Sequence, residues 1–408
     1  MPRIRRLALA ASVGLALAVV VPAARTAPGP LTTRLARALA VRGVDQSRSA
    51  AVALDLRTGA IVFARNPTLA LSPASVEKLT VTYAGLVALG PGFRFHTDLL
   101  GRGAQAGAAW RGDLILRGYG DPTLSSADLR RLAKSIRASG IRTVTGRILG
   151  DESFFDSRRT APGWKPSFYL NECPALSALA VDRAAYRGRA TPKPAAAAAA
   201  AFKRSLRDAG VTVRGRATAT RAGAEIREAM PITSVTSAPL WKILRRMDRE
   251  SDNFIAEMLL KELGAVFGKD GSTLGGAAVV RQILGADSVP LDGVRIADGS
   301  GLSNLDRLTG RALAALLASA WEAPQLRRAL LAMLPIAGKT GTLSDRLRRG
   351  PAHGIVQAKT GTTLRASSLA GYVRGRYAFA VLNNGAPVNA WRARVAQDRF
   401  ATVLASAP

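Results

Sequence analysis

The sequence predicts a mixed α/β fold built on an antiparallel sheet and interrupted by a smaller α/β module. Three observations carry this expectation. Near the C-terminus, Ser367-Ser368-Leu369-Ala370-Gly371-Tyr372-Val373 and Arg376-Tyr377-Ala378-Phe379-Ala380-Val381-Leu382 are strand-like runs joined by a turn at Arg374-Gly375. After Pro73, the apolar series Leu79, Val81, Tyr83, Ala84, Leu86 and Val87 has the character of a buried helix. Finally, Ser75 and Ser251 stand 176 positions apart, too far for one helical connection, and the stretch between them has strand and helix patterns of its own.

Taken in order, Arg3, Arg5 and Arg6 precede an apolar run from Leu7 to Val21 and then Pro22-Ala23-Ala24. That layout predicts a secretory signal over 1–23, cut after Ala23, with an uncleaved anchor as the alternative. No other segment is apolar and long enough to span a membrane, so the mature chain is expected without a stable transmembrane span. Residues 24–94 and 191–408 are assigned to one domain and 95–190 to the inserted module. Within the module, His96 to Leu100, Asp113 to Arg117 and Thr143 to Leu149 read as strands, and Ala127 to Ala138 as an amphipathic helix. Another helix is expected from Pro194 and Ala195 onward.

Composition narrows the function. The chain has 408 residues, of which 48% are hydrophobic and 21% charged, enough for a sizeable core and at least two domains. Its formal charge is +30. Basic surfaces suit phosphates, yet the cations are spread along the chain and no nucleic-acid-binding motif appears, so nucleic acid is not an expected partner. Anionic wall polymers or lipid head groups suit an exported cationic protein better. Only His96 and His353 are present, which leaves few candidates for a Ser-His-Asp triad. No H-E-x-x-H, paired-cysteine, phosphate-loop or dinucleotide pattern appears, so neither metal nor cofactor is expected. The lone Cys173 cannot form an internal disulfide and reads as buried filler. Asp121 in Gly-Asp-Pro and Asp298 in Asp-Gly-Ser-Gly read as loop-shaping residues.

Three short strings point to nucleophilic serine chemistry. In Ser75-Val76-Glu77-Lys78, helical spacing brings the Lys78 amine to the Ser75 hydroxyl, giving a nucleophile and its base. A desolvated lysine near another cation, here Lys359, gives up its proton more readily. The bland alternative is a capped core helix with Lys78 in solvent. Ser251-Asp252-Asn253 falls between Leu240-Trp241-Lys242-Ile243-Leu244 and Phe254 to Leu260, and so reads as a loop joining two helices. From there a Ser hydroxyl relays a proton and an Asn amide holds both lysine and substrate carbonyl, unless Ser251 is merely a helix cap. Lys-Thr-Gly occurs at both Lys339 and Lys359. The Lys359-Thr360-Gly361-Thr362 copy leads into the strand pair, where it offers a cationic edge, a close-approach glycine and a following backbone N–H. The Lys339 copy runs into the polar stretch Ser344 to Arg349 and reads as a solvated loop.

S-x-x-K, S-D-N and K-T-G in this order resemble the signature set of penicillin-recognising serine enzymes. The chain is similar, over nearly its whole mature length, to the class C low-molecular-mass penicillin-binding proteins, the D-alanyl-D-alanine carboxypeptidase/endopeptidase family. Further likeness lies at Leu71-Ser72-Pro73-Ala74-Ser75, Gly120-Asp121-Pro122-Thr123-Leu124, Ala161-Pro162-Gly163-Trp164, Asp298-Gly299-Ser300-Gly301-Leu302-Ser303, Leu334-Pro335-Ile336-Ala337-Gly338 and Ser368-Leu369-Ala370-Gly371-Tyr372. The resemblance implies a penicillin-recognising serine transpeptidase-like domain, its antiparallel sheet flanked by helices and interrupted after the nucleophile helix. It departs from the family where Val181-Asp182-Arg183 passes almost directly to the helix near Pro194. The insertion is therefore expected to be shortened, its usual third subdomain lost or vestigial.

The resemblance implies a peptidase that acts on peptidoglycan stem peptides or cross-links through an acyl-enzyme on Ser75. Lys78 is the expected base, and Ser251 the proton relay to the leaving amine. Asn253 orients Lys78 and the substrate. Lys359 and Thr360 hold a terminal carboxylate, with Asp252, Gly361 and Thr362 as further substrate-binding positions. The N–H groups of Ser75 and Thr362 are the expected oxyanion hole. β-Lactams are expected as covalent inhibitors, and the location is the periplasm or extracellular envelope. The alternatives are a catalytically idle wall-binding protein, which intact motifs disfavour, and a β-lactamase. Against the latter, no E-x-x-L-N string follows the Ser-Asp-Asn; Glu257 opens only Glu-Met-Leu-Leu-Lys.

Overall fold

The structure, a computed structural model, describes residues 30–221 and 224–408. The expected signal over 1–23 and its cut after Ala23 lie outside the described residues. A five-stranded antiparallel sheet forms the catalytic half, in the spatial order Val356–Thr362, Ala366–Val373, Tyr377–Asn384, Ser49–Asp55 and Ile61–Arg65. Its central strands read as unbroken apolar runs because both faces are covered, and alternation still sorts the side chains. Leu369, Phe379, Val381, Ala51 and Phe63 pack with the terminal helices Pro30–Leu39 and Ala390–Ala405, among them Leu35 and Phe400. Ala370, Tyr372, Ala380 and Leu382 face the other way, into a cluster with Leu79, Tyr83, Ile243, Ile255, Leu259 and Leu316 from the remaining helices. The helix Lys78–Ala88 packs into that cluster, and Asn253–Phe267 packs into it on one face while Phe254 and Met258 join a second cluster with Phe155 and Cys173, which accounts for their nearly continuous burial.

The inserted module is a seven-stranded mixed sheet. His96–Ala106 and Ala109–Gly118 form an antiparallel hairpin; Ile148–Asp151 and Ala217–Thr220 add in parallel, and Met230–Thr236 closes the other edge. Helices Ser126–Ala138 and Pro194–Asp208 bury Leu129, Leu132, Ile136, Phe202 and Leu206 against it. Two expectations need correction. The module does not end at 190: the helix from Pro194 and the strands to Thr236 belong to its sheet and core, since they bury their apolar faces only there. The single strand expected over Thr143 to Leu149 is two pieces, Thr143–Val144 and Ile148–Asp151. Between them Gly146 N donates to Gly112 O and Arg147 N to the Asp113 carboxylate, and a Cβ at Gly146 would lie 2.2 Å from Gly112 O. Side-chain and backbone acceptors thus take over the ladder for that stretch.

The module leaves and rejoins the catalytic half at one place. Phe95 N donates to Ser237 Oγ at 3.0 Å and Ser237 N donates to Phe95 O at 2.9 Å. Where the third subdomain was expected to be missing, the chain makes only a small hairpin of Ala185–Tyr186 and Arg189–Ala190 before the helix at Pro194. Among the described residues, no helix is long and apolar enough to cross a membrane.

Candidate active site

The nucleophile turn is set by packing rather than by helix propensity. Ala74–Glu77 is a 3₁₀ turn that feeds the α-helix from Lys78, and Ala74 adopts φ +49°. That left-handed conformation costs a non-glycine residue about 1 kcal/mol, so neighbours must impose it. Two glycines do so from either side. A Cβ at Gly361 would lie 2.8 Å from Ser75 N, and one at Gly301 would lie 2.0 Å from Ala74 O. The strand carrying Lys359 and the Asp298 loop therefore clamp the turn that presents Ser75.

Lys78 is fully buried and its Nζ has three oxygen partners: Ser75 Oγ at 3.0 Å, Asn253 Oδ1 at 2.8 Å and Ser300 O at 2.7 Å. The solvated alternative for this lysine is thereby excluded. Burial pulls its ammonium down to about 8, opposed by the nearby carboxylates Asp298, Glu257, Asp248 and Asp252. Lys359 is also fully buried; its Nζ donates to Ser251 Oγ at 2.9 Å and to Thr360 O at 2.8 Å. Burial, then the charge of Lys78, lower it well below the ordinary lysine range, while Asp248 opposes.

The Ser-Asp-Asn turn joins helix Leu240–Glu250 to Asn253–Phe267, as its flanks predicted. Ser251 sits at φ +59° with its hydroxyl on Lys359, and the helix cap is Asp252, whose Oδ1 accepts from Ile255 N at 3.1 Å. Asp252 was expected among the substrate-binding positions. Its second oxygen pairs with Arg183, so both are committed to holding the turn. Asn253 reaches Lys78 with its carbonyl and donates its amide to Glu172 O at 3.0 Å, which fixes the rotamer.

Along the sheet edge, Ala358 N donates outward to Pro335 O at 3.0 Å. Alternation then turns the N–H groups of Thr360 and Thr362 to the same free edge, while the opposite edge pairs with Ala366–Val373. Thr362 is exposed there and Ser75 is half-buried beside it. Lys339 is exposed and outside this constellation, but its triplet is not remote: Thr360 Oγ1 and Thr342 Oγ1 are 2.7 Å apart.

Ser75 beside the buried Lys78 amine, with a second buried lysine on the Ser251 hydroxyl, fits the family expectation, and comparison with known proteins decides the family. Residues 31–193 and 183–407 match the D-Ala-D-Ala carboxypeptidase 3 (S13) family. The chain belongs to that family. The two matching segments overlap over 183–193, around the short hairpin. Among S13 relatives, carboxypeptidase DacB of Mycolicibacterium smegmatis is 32% identical, covering 95% of this chain and 87% of its own. The D-alanyl-D-alanine carboxypeptidase of Actinomadura sp. (strain R39) is 31% identical, covering 83% and 78%. Penicillin-binding protein 4 of Haemophilus influenzae superposes with a TM-score of 0.79 at 23% identity, over 90% of this chain and 97% of that one. The same protein is also known complexed with a β-lactam, at a TM-score of 0.71.

Several parts of this S13 site carried no sequence signal. The Ser300 carbonyl that receives Lys78 is backbone, and so is the Glu172 carbonyl that receives Asn253. Asp248 sits buried one turn before Ser251, accepting from Thr82 at 2.9 Å, and burial pushes it up to about 7 against the pull of Lys359. In sequence it is one more charge in the basic helix Leu240–Glu250; only the period of Leu240, Leu244 and Met247 marks its face as internal. Asp298, read as loop-shaping, accepts from Trp164 Nε1, from the backbone N–H groups of Ser300, Gly301 and Ser303, and from the Ser300 hydroxyl. Asp121 likewise turns its own loop, through Thr123 N and Oγ1 at 2.7 Å each. Cys173 is buried.

Proposed function

We propose that this S13 peptidase hydrolyses D-Ala-D-Ala termini or cross-links of peptidoglycan stem peptides through an acyl-enzyme on Ser75. The observation that carries it is the buried Lys78 amine 3.0 Å from the Ser75 hydroxyl. Neutral Lys78 takes the hydroxyl proton as Oγ attacks the peptide carbonyl, and the oxyanion lies against the N–H groups of Ser75 and Thr362. Each such donor is worth about 3 kcal/mol in related chemistry. The departing D-Ala amine receives its proton from Ser251, which Lys359 holds in place, and Lys359 with Thr360 takes the terminal carboxylate. Asn253 keeps Lys78 aimed and offers its amide edge to the substrate. Asp252 and Gly361 shape the walls of the cleft instead of contacting the leaving group. Water then frees Ser75.

With a β-lactam the same attack opens the ring, and the leaving amine stays tethered to the acyl group. The first carboxylate after the Ser-Asp-Asn turn, Glu257, is buried with Oε1 occupied by Gly299 N and Ser300 N, so it is no base for a deacylating water. Labelled penicillin should therefore attach at Ser75 and persist for minutes or longer, and muropeptides should lose a terminal D-Ala or a cross-link. Mass spectrometry of the Ser75 peptide checks the first part. An unmodified Ser75, or fast turnover of the drug, would sink the assignment.

A substrate confined to the wall places the enzyme outside the cytoplasmic membrane, and the +30 charge favours salt-sensitive retention on anionic envelope polymers. Exposed charges are screened within about 8 Å at physiological ionic strength. Envelope fractions washed with rising salt should release the protein progressively; retention indifferent to salt removes electrostatics as the tether.

A further inference from the structure

Beneath Lys78 lie four buried carboxyl groups, Glu77, Glu257, Asp298 and Asp306. They surround the Asp298-Gly299-Ser300-Gly301 loop, which is wedged between two helices. A Cβ at Gly299 would lie 2.7 Å from Ala256 O, and one at Gly301 would lie 2.0 Å from Ala74 O. Asp298 accepts from five donors spread over both its oxygens, and its own N–H donates to Asp306 Oδ1 at 3.2 Å. Glu257, like Glu77 and Asp306, instead has one oxygen left bare. Its Oε1 accepts from Gly299 N at 3.0 Å and Ser300 N at 2.8 Å, while its Oε2 is buried without a partner among the described residues. A carboxylate with one bare buried oxygen is costly, whereas a carboxylic acid with its proton on that oxygen leaves only a neutral O–H unpaired, a smaller penalty.

The same residue that Glu257 grips by its N–H, Ser300, offers its carbonyl to Lys78 Nζ at 2.7 Å. We propose that Glu257 is a positioning residue of the acylation step and works uncharged: Oε1 fixes the Ser300 peptide on which Lys78 rests, and the proton on Oε2 keeps a further negative charge away from the amine that deprotonates Ser75. Burial first, and the charge of Asp298 second, push Glu257 up to about 8, in keeping with this geometry. The groups acting on it or feeling it are Lys78 and Glu77 from the nucleophile turn, Asp298 from the loop, Lys261 from its own helix and Cys173 from the segment before the hairpin. Asp306 lies next to Asp298 and Glu77, while Asp248 and Asp252 act on Lys78 from the Ser-Asp-Asn side. When Glu257 does ionise, its charge holds the proton on Lys78, so the two titrate together and the gain in acylation rate with pH is spread out.

The inference rests on Lys78 as the base, and the experiment separates the two claims. Penicillin acylation rates are measured from pH 6 to 10 for the wild type, Glu257→Gln, Glu262→Gln and Lys78→Ala, with thermal melts of each. Glutamine reproduces an uncharged Glu257, so Glu257→Gln should match the wild type within about twofold at pH 6.5. Above that it should outpace the wild type, the midpoint of its rise moving down by about half a pH unit. Glu262, buried on the same helix but pushed up by burial and Asp121, serves as the control whose profile stays put. Lys78→Ala at wild-type rate overturns the base assignment itself. With Lys78→Ala slow, three results overturn the role of Glu257 alone: Glu257→Gln already different at pH 6.5, Glu257→Gln parallel to the wild type at every pH, or an uncharged isostere that does not fold.

Discussion

Replacing Lys78 with alanine should slow the acylation of Ser75 by penicillin on the order of 10³-fold, within the range that general-base removal costs. The reason is that Lys78 touches the nucleophile directly and that burial has brought its ammonium down to about 8. A base acts only when neutral, so the wild-type rate should climb with pH through that region and fall below it as the amine becomes protonated. Alanine leaves Asn253 Oδ1 and Ser300 O without their shared donor, so some stability is lost as well. Acylation kinetics on protein shown folded by its melting curve separate the two effects. A folded variant within tenfold of the wild type would mean that another group takes the serine proton.

The second large effect distinguishes two identical triplets. Lys359→Ala should lower acylation roughly 100-fold, the weight of charge-assisted hydrogen bonds to a leaving-group serine and a substrate carboxylate. Lys339→Ala should stay within about twofold of the wild type, as expected of an exposed side chain away from Ser75 and Ser251. Parallel rate measurements on the two variants check this, and the reverse ranking would place the substrate at the Lys339 turn instead.

The parts of the fold that sequence made visible are those with a local pattern. Two strand-like runs rich in apolar and aromatic residues gave the last two strands of the catalytic sheet, and the helix after Pro73 was visible from its apolar run. The end of the module was misplaced because the helix from Pro194 has no local mark of which sheet it covers; Phe202 and Leu206 suit either core by character and find theirs only through long-range packing. Ser75, Lys78, Ser251, Asn253 and Lys359 were legible because each lies in a short string, and the structure brings all five within two hydrogen-bonded groups. Asp252 shows the limit of that legibility. Membership of a motif says that a residue is needed, and only the partners Ile255 N and Arg183 say that this one caps a helix. Ser300 O, Glu172 O and the neutral face of Glu257 depend on backbone atoms and burial, which a string of side-chain identities does not encode.

The reciprocal Phe95 and Ser237 hydrogen bonds have an evolutionary meaning. Because the insertion departs and returns through a single doorway, its length is not fixed by the distance between its ends, and sequence can be gained or lost inside it without displacing the flanking helices. The small hairpin at 185–190 is one such place of slack. Freedom stops where the insertion reaches back: Trp164 grips Asp298, the Glu172 carbonyl holds Asn253 and Arg183 ties Asp252. Natural variation should therefore collect at the outer strands of the module and thin out between Trp164 and Arg183, where a shift would be transmitted straight to the residues around Lys78.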